Sequence, residues 1–160
     1  MQEQIHLFPF KRKFMKQHIL FIDDDKNELL FFLDALKQVP QEDGFKCTYA
    51  SSSIQAIEML KYLVPDFIFV DNKISEMNGL HIIRQIKNDE RLRSTKVFMY
   101  SSSISEYTFW NAMQAGANGC IKKCDSIEKL TDELRSIFLS TSVSTYILPT
   151  IYSQLISSGS

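Results

Sequence analysis

The chain of 160 residues is long enough to bury one substantial core and too short for two. With 44% hydrophobic and 23% charged residues it is neither disordered nor fibrous, and a formal net charge of -1 offers no basic footprint for nucleic acid. No segment approaches the ~20 apolar residues of a membrane span, and the odd set Cys47, Cys120 and Cys124 points to a reducing compartment, the cytoplasm.

Residues 1–15 read as an N-terminal extension; their basic cluster follows a short apolar patch broken by Pro9, the reverse of a secretory signal. The first strand candidate, HILFI (18–22), runs directly into Asp23, Asp24 and Asp25. Leu29, Phe32, Leu33, Leu36 and Val39 then keep the i, i+3, i+4 spacing of an amphipathic helix, which Pro40 should stop. Asp25 suits the start of that helix, where an acid faces the positive end of the dipole. FKCTYA (45–50) is the second strand, and a capping box of Ser52 and Gln55 opens a second helix with Ile54, Ile57 and Leu60 inward and Pro65 beyond its end.

DFIFV (66–70), the third strand, ends in Asp71, and a third helix follows Gly79. KVFMY (96–100), the fourth, ends in Ser101 and precedes a helix, SEYTFWNAMQA, that stops at Gly116. Tyr107, Phe109 and Trp110 cannot all face the core from this one helix, so at least one aromatic is exposed and available to a partner. GCIKK (119–123) is the fifth strand, after which Asp125, with Glu128 three residues on, caps a helix carrying Ile127, Leu130, Leu134 and Ile137. The segment 140–160 is uncharged and too short and acid- and base-poor for an output domain such as a helix-turn-helix. It reads either as a frayed, serine-rich end or, through Ile147, Leu148, Ile151, Tyr152 and Leu155, as a piece that docks on the domain or on a second copy, making a homodimer.

Near-continuous apolar strands alternating with helices imply an α/β fold, a doubly wound five-stranded parallel sheet of order 2-1-3-4-5, flavodoxin-like, with five helices. In such sheets ligands bind beyond the carboxyl ends of the strands. There the sequence delivers Asp23, Asp24, Asp71, Ser101 and Lys123. Three carboxylates gathered at one edge repel unless a cation joins them, and Mg2+ takes such oxygen ligands together with phosphate oxygens. A lysine can contact a phosphoryl oxygen, a serine can add a hydrogen bond, and an ionised Asp71 can act as the nucleophile that forms an acyl phosphate without a general base. None of His6, His18 and His81 lies at a predicted strand's carboxyl end, so histidine catalysis is not indicated.

The segments ILFIDDD, PDFIFVDNKISEMNGL, VFMYSSS and AGANGCIKK, in this order and spacing over residues 16–139, resemble the successive signatures of a response-regulator receiver domain of two-component signalling, of the stand-alone type. The resemblance implies that Asp71 is the phosphoacceptor, that Asp23, Asp24 and Asp71 hold Mg2+ with the backbone carbonyl of Lys73, that Ser101 is the switch hydroxyl and that Lys123 binds the phosphoryl group. It also implies a sensor histidine kinase or a histidine phosphotransfer protein as donor, and output through a downstream protein or a phosphorelay rather than through enzymatic turnover. Lys73 and Ser103 stand at positions that tune dephosphorylation in the family.

Three residues depart from the family's pattern. Ser75 and Cys124 replace prolines, and Cys120 replaces the aromatic residue that swings inward when the switch hydroxyl engages phosphate. A cis bond before a non-proline residue costs about 2.5–4 kcal/mol, so the Lys123–Cys124 bond is expected to be trans unless the fold enforces a strained cis bond. Cys120 and Cys124 read as buried thiols rather than a zinc pair. Two other functions remain open: a receiver-like docking module that does not depend on phosphorylation, and a haloacid-dehalogenase-like phosphatase using Asp23 and Asp25.

Overall fold

The computed structural model describes residues 16–75 and 77–139, so the expectations for the N-terminal extension and for the 140–160 segment lie outside the described residues. Five parallel strands, β1 (Gln17–Ile22), β2 (Phe45–Ala50), β3 (Phe67–Asp71), β4 (Lys96–Ser101) and β5 (Gly119–Lys122), form one sheet in the order β2-β1-β3-β4-β5. Between and after them run α1 (Lys26–Lys37), α2 (Ser53–Leu60), α3 (Gly79–Asn88), α4 (Glu106–Ala115) and α5 (Ile127–Leu139), with a 3-10 turn at Glu90–Leu92. The expected fold and strand order are those observed.

The alternation of side chains along each strand divides the core in two. Leu20, Ile22, Ile68, Val70, Val97 and Met99 face α2, α3 and α4 and meet Ala56, Leu60, Ile82, Ile83, Ile86, Phe109 and Ala112. Ile19, Phe21, Phe67, Phe69, Phe98, Tyr100 and Ile121 face α1 and α5 and meet Phe32, Leu36, Leu130, Leu134 and Ile137. Because both faces are covered, the central strands are apolar at nearly every position, and β3 is buried from Phe67 to Asp71. The register pairs Asp71 with Tyr100 and Ser101 with Lys122, which brings the carboxyl ends of β3, β4 and β5 level with one another.

The helix starts follow local chemistry. Asp25 caps α1 by accepting from Asn27 N at 2.8 Å, as its position predicts. At α2 the Ser52 hydroxyl accepts from Gln55 N at 3.1 Å, and Gln55 Oε1 reaches back to Ser51 N at 2.7 Å, one residue further out than in the expected box. α4 ends at Gly116 with φ 101°, a left-handed conformation for which glycine is suited.

Two expectations about helices are corrected. Ile54 is 59% exposed: the inward stripe of α2 is Ser53, Ala56 and Leu60, because this two-turn helix carries apolar residues on more than one side and the sheet takes the narrow one. The cap of α5 is Ser126, not Asp125; its hydroxyl accepts from Lys129 N at 3.2 Å and its carbonyl from Leu130 N at 3.1 Å. A short loop after β5 leaves Ser126, one residue later, at the helix entrance. Among the described residues no helix is long and apolar enough to cross a membrane.

Candidate functional site

At the carboxyl edge, β1 continues into Asp23 and Asp24, β3 ends in Asp71, β4 ends in Ser101, and the residue after β5 is Lys123. Asp23, Asp24 and Asp71 place one carboxylate oxygen each within 4.8 Å of one another. Asp23 and Asp71 are buried and Asp24 is exposed, so the cluster opens to solvent on one side. Lys123 Nζ donates to Asp23 Oδ2 at 2.7 Å and lies 3.3 Å from Asp71 Oδ1.

Backbone groups fix both buried carboxylates. Asp25 N donates to Asp23 Oδ1 at 2.9 Å, and Lys73 N donates to Asp71 Oδ2 at 3.0 Å. The N-terminus of α3 is brought against the same strand end: Gly79 N donates to Asn72 O at 3.0 Å, and a Cβ at Gly79 would collide with the Asp71 carbonyl oxygen. Glycine is therefore required there by close approach. In the sequence Gly79 is merely the residue before a helix.

Burial holds the Asp23 carboxyl above its ordinary range despite the hydrogen bonds from Lys123 and Asp25, and the facing Asp71 adds to the shift. For Lys123 burial works against the charge, but the Asp23 and Asp71 carboxylates overcome it and raise the ammonium above its usual value. The cluster is thus an electrostatically loaded pocket in which a cation is stabilised and an added negative group would meet the ammonium.

Ser101 is buried, and its hydroxyl is engaged within its own loop, donating to Ser103 O at 3.1 Å and accepting from Ser103 N at 3.4 Å. Cys120 is buried in the core beside α4, where the apolar surroundings push its thiol up to about 12. Cys124 is half-buried rather than buried as expected, with Sγ 3.4 Å from Ser126 O. Among the described residues there is no cis peptide bond, so the Lys123–Cys124 bond is trans. Tyr107 and Trp110 are 78% and 50% exposed on α4, whereas Phe109 is buried between that helix and the sheet, so the structure leaves the first two outside the acidic pocket. One aromatic contacting the pocket was missed altogether: Tyr100, whose ring centroid is 5.4 Å from Lys123 Nζ.

Residues 19–135 match the family described as the response regulator receiver domain. The chain belongs to this family. Among curated proteins it is 30% identical to the chemotaxis protein CheY-3 of Vibrio cholerae over 75% of this chain and 90% of that protein. It is 21% identical to the polar-differentiation response regulator DivK of Brucella ovis over 76% of this chain and 96% of that protein. Among solved structures, the phosphorylated cyanobacterial phytochrome response regulator RcpA has a TM-score of 0.71 at 21% identity, covering 80% of this chain and 97% of that one. The chemotaxis response regulator CheY4 of Vibrio cholerae has a TM-score of 0.68 at 18% identity, covering 77% and 99% respectively. Receiver domains are signalling domains of two-component systems rather than classical enzymes, and they generally bind Mg2+ through acidic residues. They interact with kinases, phosphotransfer proteins and downstream targets.

Proposed function

We propose that this receiver domain is a switch that accepts a phosphoryl group on Asp71 from a phosphohistidine of a sensor kinase or phosphotransfer protein. The observation that carries this reading is the setting of Asp71: a buried strand-end carboxylate with one oxygen held by Lys73 N and the other 3.3 Å from the Lys123 ammonium. An oxygen of the ionised carboxylate attacks phosphorus as the P–N bond to the histidine breaks. The leaving imidazole keeps the electron pair. No proton need be taken from Asp71, so no general base is required.

The acidic cluster fits a hard divalent cation, because its donors are carboxylate oxygens close enough to share one ion and burial disfavours the uncompensated charge of Asp23. Asp23, Asp24, Asp71 and the Lys73 carbonyl would hold Mg2+, which when bound supplies positive charge to the phosphoryl oxygens. Lys123 lies beside both buried carboxylates and can turn its ammonium from Asp23 to the phosphoryl oxygens. Ser101 Oγ must give up its bonds with Ser103 to reach a phosphoryl oxygen, which links the modification to the loop leading into α4. Residues 16–139 form the receiver unit in this reading. With Cys120 in place of the family's aromatic, output follows movement of the loops after β3 and β4 and engagement of a downstream protein or a phosphorelay.

Incubation with phosphoramidate, whose P–N bond resembles that of phosphohistidine, tests the reading by intact mass. One added phosphoryl group on the wild type with Mg2+, and none with a chelator or on Asp71→Asn, is the expected result. An unmodified, folded wild type would support a docking module instead.

A further inference from the structure

Tyr100 precedes Ser101 on β4 and is fully buried on the α1 and α5 side of the sheet, with Phe21 and Phe32 packed edge-on at 5.6 and 6.1 Å. Packing alone calls for an apolar ring, yet this residue carries a hydroxyl with a defined partner, Glu28 Oε2 in the first turn of α1, at 3.3 Å. On the same ring rests the Lys123 ammonium, 5.4 Å from the centroid, within the range of a cation–π attraction that strengthens away from water.

The alternative position for that ammonium is also visible. An open cleft of about 610 Å³ runs beside Lys123, lined by Asn27, Glu28, Phe31, Cys124 and Asp125. A lysine has a flexible four-carbon stem, and Glu28 and Asp125 are two carboxylates toward which it could turn. An ammonium drawn into the cleft would be lost to Asp71.

We propose that Tyr100 is a positioning residue for Lys123: its ring is the wall that keeps the ammonium between Asp23 and Asp71, and its hydroxyl occupies Glu28 so that this carboxylate does not draw the ammonium outward. The inference rests on the reading of Asp71 as phosphoacceptor. Tyr100 touches no reacting atom and acts through Lys123 alone. Removal of the ring therefore slows phosphorylation of Asp71 when Lys123 is present and has little further effect when it is absent. Loss of the hydroxyl alone frees Glu28, and neutralising Glu28 should then restore the rate.

The test is the rate of mass-adduct formation with phosphoramidate and Mg2+ for the full chain, with circular dichroism confirming that each variant is folded. Tyr100→Leu should slow the reaction about tenfold in the wild-type background and less than about twofold in a Lys123→Ala background. Tyr100→Phe, which keeps the packing, should slow it about threefold, and Glu28→Gln added to Tyr100→Phe should bring it back. A purely structural role would slow both backgrounds alike and would not be rescued by Glu28→Gln. If Tyr100→Leu does not fold, the Tyr100→Phe and Glu28→Gln pair decides the matter alone. Equal rates for wild type and the variants would overturn the positioning role while leaving Asp71 as acceptor. A folded wild type that takes no phosphoryl group would overturn the proposed function and this inference with it.

Discussion

Replacing Lys123 with methionine keeps most of the side-chain volume and removes the ammonium that Asp23 and Asp71 share. At 2.7 and 3.3 Å, with an effective dielectric constant of ~20, the two attractions are each roughly 5–6 kcal/mol before desolvation is counted. Desolvation of the ions offsets much of that, and the net loss on breaking a buried pair is typically about 3–5 kcal/mol. For a domain of this size that lowers Tm by roughly 10–20 °C. Thermal melts followed by circular dichroism in chelator-containing buffer measure it directly. Two further results follow from the same electrostatics: Asp71→Asn added to Lys123→Met should recover part of the loss by removing one of the facing carboxylates, and Mg2+ should stabilise Lys123→Met more than the wild type, whose ammonium already occupies the cluster. A Lys123→Met protein melting within about 2 °C of wild type without metal would refute the reasoning, because the buried carboxylates would then need no partner.

Gly79→Ala places a methyl group against the Asp71 carbonyl oxygen and forces α3 away from β3; it should destabilise by about 1–3 kcal/mol in urea unfolding and slow modification of Asp71. His18 Nε2 lies 2.7 Å from Thr48 Oγ1, and burial followed by Lys46 holds its pKa below 6.5 against the opposing Asp66. The unfolded chain therefore takes up this proton at higher pH than the folded one, so the stabilising contribution present above the unfolded pKa is lost as pH falls through it toward the folded value. His18→Gln should flatten the urea-midpoint profile where pH falls through and below 6.5, and an unchanged slope would count against it. Burial pushes the Cys47 thiol up to about 11 and that of Cys120 up to about 12, so near pH 8 both should be alkylated in the native protein about a hundredfold or more slowly than in urea, with the half-exposed Cys124 modified first. Peptide mapping after timed quenching reads this out.

The sheet was legible in the sequence because covering both faces forces β1, β3 and β4 into nearly unbroken apolar runs, and the same rule of parallel sheets points to the residues that follow them. Asp23, Asp24, Asp71, Ser101 and Lys123 stand out as candidates in the sequence because each lies where its strand ends. The inward side of α2 was not legible: Ile54 and Ile57 compete with Ala56 and Leu60 on a short helix, and the angle at which the sheet meets it decides among them. Tyr100 was hidden for a related reason. Within KVFMY it reads as one more apolar strand residue, and its bond to Glu28 joins positions 72 residues apart that only the packing of α1 on β4 brings together. Gly79 carried no local sign of its role, because the contact that excludes a side chain comes from the backbone of Asp71.

The most direct test of Asp71 as phosphoacceptor is to treat the Mg2+- and phosphoramidate-exposed protein with borohydride and map the peptides by mass. Reduction converts an aspartyl phosphate to homoserine, so the account predicts homoserine at position 71, in proportion to the intact-mass adduct, and unmodified Asp23 and Asp24. An adduct that survives at another residue, or one that leaves position 71 as aspartate, would contradict it.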